Sequence, residues 1–200
     1  MDENGREVLS FISGEVANYP LPDRLWSTVI LDEAFSLLRR LHDAVTLDDF
    51  DGAVWKTPAH EPQEVICHND FAPYNIVFDE GHIVGVIDFD TASPGSRLWD
   101  FAYLAYRLIP FGEDAGANAP TESQRMDRLQ SAIESYGRDF ATSEVLTTMA
   151  VRLEDLAAYS EGRGRDLGKS DLVEHAAMYR RDATRALQLD MRYRSRGTPT

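Results

Sequence analysis

Apolar residues recur at helical spacing along most of the chain. Between residues 23 and 45 they step by three and four positions and form one apolar face, which predicts an amphipathic helix. Residues 98–109 are strongly apolar and predict a second, more deeply buried helix. After Pro120 three further helices are predicted, and Thr121 and Gln124 open the first of them at the spacing of a capping box. The residues expected to face inward are Leu31, Phe35, Leu38, Leu41, Val45, Trp99, Phe101, Leu104, Leu108, Met126, Leu129, Ile133, Tyr136, Val145, Met149, Leu153, Leu156, Leu172, Ala176, Tyr179, Ala183 and Leu187.

Short β-rich runs accompany these helices. Residues 76–78 and 83–87 flank the polar turn 79–81, and this pattern predicts a hairpin. Residues 65–67 predict a buried strand fragment, and residues 8–12 predict a short strand ahead of the first helix. The expected fold class is therefore α+β and mainly helical.

Glycine and proline predict where the chain turns. Residues 19–22 form an extended linker because proline excludes helix from the residue before it. Pro94-Gly95-Ser96 predicts a break before the buried helix. Gly162-Arg163-Gly164 predicts a loop between two helices. It resembles a glycine-rich phosphate loop only superficially, because no strand precedes it.

The composition is that of an acidic globular protein. A net charge of −14 over 200 residues disfavours nucleic-acid binding, since phosphate contacts need clustered Lys and Arg. No apolar run is long enough to span a bilayer, and the polar N-terminus does not have the pattern of a signal peptide, so a cytoplasmic location is expected. The single cysteine, Cys67, excludes an intramolecular disulfide, and its apolar neighbours predict a buried, unreactive thiol.

Three polar clusters flank the predicted hairpin. His68-Asn69-Asp70 precedes it, Asn75 opens its first strand and Asp88 closes its second. Asp70 and Asn75 are five residues apart, which is the spacing found in the catalytic loop of kinases. Because a hairpin returns the chain to its starting end, we expect Asp88 to lie near Asn75.

Phosphoryl transfer explains why these residue types occur in this order. Mg²⁺, which neutralises nucleotide phosphates, prefers oxygen ligands such as the Asn75 amide and the Asp88 carboxylate. An acceptor hydroxyl must lose its proton near the γ-phosphate, and Asp70 lies one loop away from the predicted metal site. The sequence thus predicts Asp70 as the catalytic base, Asn75 and Asp88 as Mg²⁺ ligands, and ATP or GTP as the phosphate donor.

Each of these residues taken alone has a simpler explanation. Asn and Asp are common turn formers, and an isolated histidine such as His68 is more often a structural residue that hydrogen-bonds the loop backbone. Asp90 is equally compatible with a second metal contact and with a turn. The order of the residues, their spacing and the intervening hairpin together favour the phosphotransferase interpretation. Asp70 and His68 are its predicted catalytic residues, with Asp70 as the base and His68 hydrogen-bonding the loop backbone.

The run of residues 65–77 resembles the catalytic loop of the aminoglycoside phosphotransferase family. Members often have His-Gly-Asp-X-X-X-X-Asn there, so Asn69 is a small departure. Residues 85–90, Gly-Val-Ile-Asp-Phe-Asp, resemble the family's metal-binding strand end, and residues 98–102 resemble the helix that follows it. The helix that precedes the loop has its counterpart in residues 37–42. The resemblance covers about residues 6–109; beyond them only the helical character agrees.

The resemblance implies a protein-kinase-like fold in which residues 19–200 form the large C-terminal lobe. Its catalytic region would be residues 63–109 and its helical subdomain residues 121–192. Asp100 would brace the catalytic loop, although a first-turn Asp also interacts favourably with the helix dipole. The implied activity is transfer of a nucleotide γ-phosphate to a small hydroxylated molecule, whose identity the motifs leave open, as they leave open the oligomeric state.

Most of the small β-rich lobe of the family has no counterpart here. Residues 1–18 resemble only the end of that lobe and the hinge, in which Ser10, Phe11 and Ile12 would contact adenine through their backbone. The first strand predicted above would be the last strand of that lobe.

The phosphate-gripping lysine of that lobe is also without a counterpart. The lysines are Lys56 and Lys169, and neither lies in a strand ahead of the hinge. We interpret the chain as a fragment or a late-start product that is inactive by itself. The alternatives are a shortened, non-catalytic binding module and a lobe supplied by another chain.

Overall fold

The computed structural model describes residues 3–4 and 8–195. Five α-helices dominate it: α1 (Thr28–Ala44), α2 (Arg97–Leu108), α3 (Glu122–Tyr136), α4 (Thr142–Leu167) and α5 (Ser170–Ser195). Four short strands accompany them: β1 (Val65–Cys67), β2 (Ile76–Asp79), β3 (His82–Val86) and β4 (Ser93–Gly95). Three 3-10 turns lie at Asp23–Trp26, Leu47–Phe50 and Pro73–Asn75. The predicted fold class, α+β and mainly helical, is confirmed.

The first predicted helix is divided at Ser27. The 3-10 turn Asp23–Trp26 ends there because Ser27 is extended, with φ −56° and ψ 138°. The Ser27 hydroxyl then accepts a hydrogen bond from the Val29 amide at 3.1 Å and caps α1. The buried face of α1 includes the predicted Leu31, Phe35 and Leu38, whereas the predicted Leu41 and Val45 are half-buried.

Helix α2 lies at the centre of the core. Every residue from Trp99 to Leu108 is buried, which explains why this segment is the most apolar of the sequence. Phe101 packs against Phe35 of α1 with ring centroids 4.8 Å apart and meets Tyr136 of α3 at 5.3 Å. Burial of aromatic side chains on this scale fixes α2 relative to α1 and α3.

The predicted hairpin is confirmed, and a second pair of strands was missed. Strands β2 and β3 pair antiparallel, with Ile76 opposite Val86. Strands β1 and β4 also pair antiparallel, so the Pro94-Gly95-Ser96 segment does not simply break the chain. A side chain at position 95 would place its Cβ 2.9 Å from the Cys67 sulfur, so glycine allows this close pairing. The pairing carries the start of α2 beneath the loop that follows β1.

The strand predicted at residues 8–12 is wrong. These residues have no regular secondary structure, and Phe11 is 91% exposed. Among the described residues no strand runs beside them, so their backbone amides and carbonyls cannot form the hydrogen bonds of a sheet. The chain reaches the hairpin only at Glu15, which bridges Phe78, and Ile12 lies over Gly85 of β3.

The interhelical loop predicted at Gly162-Arg163-Gly164 is also wrong, because α4 runs through it to Leu167. A Cβ at Gly164 would lie 3.0 Å from the Lys169 carbonyl oxygen and 2.9 Å from the Val173 side chain. Gly164 is therefore a contact point between α4 and α5 rather than a turn. The capping box predicted at Thr121 is confirmed, with the Gln124 amide donating to the Thr121 hydroxyl at 3.4 Å.

The two glycines of α4 give a matched pair of substitutions. Gly162→Ala is expected to stabilise the protein by about 0.5–1 kcal/mol, because nothing lies within 4 Å of the new Cβ and alanine is the better helix former. Gly164→Ala is expected to destabilise it by about 1–3 kcal/mol through overpacking against α5. Urea unfolding of both variants measures the difference. If neither substitution changed the free energy of unfolding appreciably, residues 162–164 would form a loop instead.

Candidate active site

The candidate site is built on the loop between β1 and β2. The chain leaves β1 at Cys67 and enters β2 through the 3-10 turn Pro73–Asn75. Within this loop Asn69 has a φ of +63°, in the left-handed region that glycine adopts most easily and that asparagine tolerates. The backbone therefore accommodates Asn69 at the position where the resembling family often has glycine.

The Asn69 side chain makes contacts that glycine could not make. Its amide nitrogen donates to the Thr91 carbonyl and the Ser93 hydroxyl, both at 2.8 Å. Its amide oxygen accepts a hydrogen bond from the Trp99 indole at 3.2 Å. Asn69 thus ties the loop to both β4 and α2.

Asp100 lies directly beneath the loop and is fully buried. One carboxylate oxygen accepts a hydrogen bond from the His68 amide at 2.7 Å, and the other accepts one from the Asn69 amide at 3.0 Å. The His42 Nε2 contacts the first oxygen at 3.1 Å, and the Tyr136 hydroxyl lies 2.7 Å from the His42 Nδ1. The side chain of Asp100 therefore satisfies two buried backbone donors of the loop.

The surroundings of Asp100 favour its ionised form. Burial by itself would raise the pKa of this carboxyl, but the hydrogen bond and charge of His42 and the hydrogen bond from the His68 amide together lower the pKa below its usual value. Asp100 therefore lies in the first turn of α2 as a buried, hydrogen-bonded carboxylate.

His68 is buried, and both of its ring nitrogens contact the backbone. The Asp70 amide donates to Nδ1 at 3.3 Å, and the Ile87 carbonyl lies 3.0 Å from Nε2. An amide must donate and a carbonyl must accept, so the proton of the neutral ring is on Nε2. His68 thus connects the loop to the end of β3, and its contacts are those of a residue that orients Asp70.

Asp70 projects from the loop and is partly buried. Its Oδ1 accepts a hydrogen bond from the Tyr74 hydroxyl at 2.5 Å, and its Oδ2 accepts one from the Asn75 amide nitrogen at 3.0 Å. Burial raises the pKa of this carboxyl, and the contacts with Tyr74, His68, Tyr103 and Asn75 only partly oppose that effect. A partly buried carboxylate with a raised pKa is a stronger base than an exposed one.

Asn75 is buried and has a defined orientation. Its side-chain nitrogen donates to the Asp70 backbone carbonyl at 2.9 Å as well as to the Asp70 carboxylate. Because the nitrogen makes these two bonds, the amide oxygen is the atom that could bind a hard cation.

Asp88 follows the hairpin at the same end as Asn75. The Ile87 amide donates to the Asn75 carbonyl at 2.9 Å, so Asp88 comes immediately after a backbone contact with Asn75. Asp88 is exposed and has a φ of +63°. The antiparallel pairing that we expected to return the chain to Asn75 is present, and a carboxylate and an amide oxygen are a donor set that suits Mg²⁺.

The sequence profile of the phosphotransferase enzyme family matches residues 12–139. The chain belongs to this family. The match includes the loop, the hairpin, α2 and α3, so the resemblance first drawn from the residues around Asp70 is confirmed.

Two kinds of relative place this phosphotransferase family member among known proteins. The trifolitoxin immunity protein of Rhizobium leguminosarum bv. trifolii is 41% identical over 98 residues, which cover 46% of this chain and 36% of that protein. The match thus spans about a third of the length of that relative. A structure from Ralstonia eutropha JMP134, assigned as an aminoglycoside phosphotransferase, has a TM-score of 0.63 at 18% identity, over 91% of this chain and 71% of that one.

The similarity to the Ralstonia eutropha structure shows the kinase-like fold that was predicted. A Plasmodium vivax ethanolamine kinase also matches, with a TM-score of 0.48 at 18% identity, over 82% of this chain and 49% of that one. Within residues 3–4 and 8–195, none of the helices combines the length and the apolar character needed to cross a bilayer.

Arg152 is a residue of the candidate site that sequence reasoning missed. It is buried on α4, donates to the Asn69 carbonyl, and lies over the rings of Trp99 at 4.8 Å and Tyr103 at 4.6 Å. Its position was detectable, because residue 152 is in phase with the apolar Met149 and Leu156 of the same helix. A charged residue at such a position usually has a buried partner.

The residues after Asp88 have different surroundings. Phe89 lies against His68 with ring centroids 4.6 Å apart. Asp90 accepts a hydrogen bond from the Lys56 ammonium at 2.7 Å, and both side chains are exposed. An exposed ion pair of this kind contributes little stability, so Asp90 has a surface partner other than a metal.

The residues predicted to contact adenine lie apart from these contacts. Ser10 and Phe11 are exposed and Ile12 is half-buried over the hairpin. Their proposed backbone contact with adenine stays a prediction.

Proposed function

We propose that the protein is a phosphotransferase that moves the γ-phosphate of ATP or GTP to a hydroxyl of a small molecule. The observation that carries the proposal is the loop and hairpin that hold Asp70, Asn75 and Asp88 at one end of β2 and β3, in the order that kinases use. Family membership supports the reaction class, and the donor and acceptor are part of the proposal.

Asp70 would act as the base of this reaction. The acceptor oxygen forms a bond to the γ-phosphorus as the bond to the β–γ bridging oxygen breaks, and the acceptor proton passes to the Asp70 carboxylate. ADP or GDP is the leaving group. His68 and Asp100 would contribute by holding the loop, which places the carboxylate without a further conformational cost.

The amide oxygen of Asn75 and the carboxylate of Asp88 would hold Mg²⁺. When bound, this ion neutralises charge on the phosphates and orients them. The orientation of the Asn75 amide fits this role because its nitrogen is already engaged with Asp70. The exposure of Asp88 fits it as well, since Mg²⁺ keeps several water ligands and completes its shell with phosphate oxygens.

The described residues contain no counterpart of a phosphate-gripping lobe. Their strands form only two two-stranded sheets, and Val8, Leu9 and Phe11 are exposed. We therefore propose that the 200-residue chain has little activity by itself and gains activity when joined to a small β-rich lobe. A non-catalytic binding module is the alternative, and it would bind its ligand equally well with or without that lobe.

The immunity protein among the relatives favours a more specific biological role. We propose that the acceptor is a bioactive toxin and that its modification protects the producing or neighbouring cell. The test is survival of a toxin-sensitive strain that expresses the form joined to a small lobe or the Asp70→Asn variant of that form. Protection that depends on Asp70 supports modification, and protection that persists in the variant supports sequestration by binding.

The metal assignment makes a separate prediction. Asp88→Ala is expected to abolish most of the Mg²⁺-dependent part of nucleotide binding, because the ion loses its only proposed charged protein ligand. Isothermal titration with ADP or ATP, with and without Mg²⁺, measures this in the form joined to a small lobe. Asp79→Ala is the matched control, since Asp79 is exposed at the opposite end of the same hairpin. Equal Mg²⁺ dependence in both variants would remove Asp88 from this role.

A further inference from the structure

Tyr74 is in direct contact with the proposed base. Its hydroxyl donates to Oδ1 of Asp70 at 2.5 Å, and the Tyr103 hydroxyl lies 2.8 Å from the same Tyr74 oxygen. Asn75 binds the other carboxylate oxygen. Both oxygens of Asp70 are therefore held by residues of the protein.

The hydrogen bonds that join Tyr103, Tyr74 and Asp70 have defined directions. A phenol carries one proton, and that of Tyr74 is donated to Asp70, so the Tyr103 hydroxyl must donate to the Tyr74 oxygen. Burial, together with Tyr103 and Asp70, raises the pKa of Tyr74 far above its usual value, which keeps the phenol protonated. Tyr74 is thus a permanent donor to the carboxylate.

The two tyrosines are anchored on rigid parts of the protein. Tyr74 belongs to the 3-10 turn Pro73–Asn75, and Tyr103 is buried in α2. The guanidinium of Arg107, also on α2, lies 5.8 Å from the Tyr74 ring centre. The position of the Tyr74 hydroxyl is consequently fixed by the core rather than by the loop alone.

We propose that Tyr74, supported by Tyr103, is a positioning residue that fixes the Asp70 carboxylate for proton transfer from the acceptor. This inference rests on the proposed phosphotransferase function. A carboxylate oxygen has two lone pairs, and Tyr74 takes one of those on Oδ1, so the acceptor hydroxyl can approach the other. Tyr74 lies next to Asn75 in the sequence, so one turn orients both the base and a proposed metal ligand.

The contact has a measurable catalytic consequence. Tyr74→Phe removes the donor and keeps the ring, so Oδ1 of Asp70 loses the hydrogen bond that fixes its direction. In the form joined to a small lobe, kcat should fall with KM unchanged, and Tyr74→Phe should have no further effect in the Asp70→Asn background.

The decisive experiment is carbon NMR of labelled Asp side chains in the 200-residue chain at one fixed, neutral pH. The Asp70 signal is assigned from the Asp70→Asn variant. Tyr74→Phe should shift the Asp70 carboxyl signal, because this carbon is sensitive to the hydrogen bonds of its oxygens, and Tyr103→Phe should shift it less. Tyr159→Phe should leave the signal unchanged because Tyr159 is 66% exposed on α4. An Asp70 signal that stays in place in Tyr74→Phe overturns the proposal.

Two further outcomes have a fixed meaning. If Tyr74→Phe does not fold, the Tyr103→Phe spectrum decides, and an unchanged Asp70 signal there overturns the proposal. Because the spectrum needs no turnover, it separates this inference from the proposed function. A shifted Asp70 signal in a protein that never transfers phosphate supports the contact and excludes the proposed reaction.

Discussion

Asp70→Asn is expected to lower kcat about 10²–10⁴-fold, the range that a general base contributes, in the form joined to a small lobe. Asparagine keeps the size of the side chain and cannot accept the acceptor proton. Binding of the Mg²⁺–nucleotide complex should persist, because the proposed metal ligands are Asn75 and Asp88. A turnover assay over a panel of hydroxylated acceptors, run beside nucleotide binding, measures both effects.

The same reaction should depend on pH in a defined direction. Burial raises the pKa of Asp70, and the base must be ionised to work, so activity should fall with decreasing pH earlier than an ordinary aspartate would allow. The control for Asp70→Asn is Asp79→Asn, at the exposed end of β2, and this variant should retain full activity. Equal kcat for Asp70→Asn and the wild type would exclude Asp70 as the base.

The parts of the fold that were predicted correctly have a local cause. The hairpin follows from a polar turn between two β-rich runs, and α2 follows from its nearly continuous apolar sequence. The pairing of β1 with β4 joins segments far apart in sequence, and no local pattern marks it. Proline and glycine in β4 argued against a strand there, and the close contact at Gly95 is a tertiary requirement.

Tertiary context also explains the two wrong predictions. The strand at residues 8–12 was inferred from apolar side chains, but a strand needs a neighbour, and none lies there among the described residues. The Gly162–Gly164 segment contains two helix-disfavouring residues, yet the packing of α4 on α5 outweighs their propensity and uses the small size of Gly164.

In the candidate site, too, the local features could be predicted and the contacts between distant segments could not. The order and spacing of Asp70, Asn75 and Asp88 are local features, so the sequence was enough to group them. The contact of Tyr74 with Tyr103 and the contact of Arg152 with Asn69 depend on how α2 and α4 meet the loop. Such contacts between distant segments are invisible without a structure.

The second large effect is expected at Asp100. Asp100→Asn should destabilise the protein by about 3–5 kcal/mol, because the new amide nitrogen faces buried donors of the loop that lose their acceptor. For a chain of this size that corresponds to a fall in Tm of roughly 10 °C. Asp171→Asn is the matched control, since Asp171 lies exposed in the first turn of α5 and should cost less than about 1 kcal/mol.

The comparison with Asp171→Asn separates loop bracing from an effect of the helix dipole alone, and the pH dependence tests whether the carboxylate charge is responsible. The folded-state pKa of Asp100 is lowered, so its contribution to stability is present above the unfolded pKa of about 3.9 and is lost as the pH falls through the folded value. The difference in unfolding free energy between the wild type and Asp100→Asn should therefore be constant near neutral pH and shrink in strong acid. Urea unfolding between pH 7 and the acid limit of the folded state measures it. If Asp100→Asn and Asp171→Asn cost the same at neutral pH, Asp100 interacts only with the helix dipole, and the hydrogen bonds to His68 and Asn69 do not hold the loop.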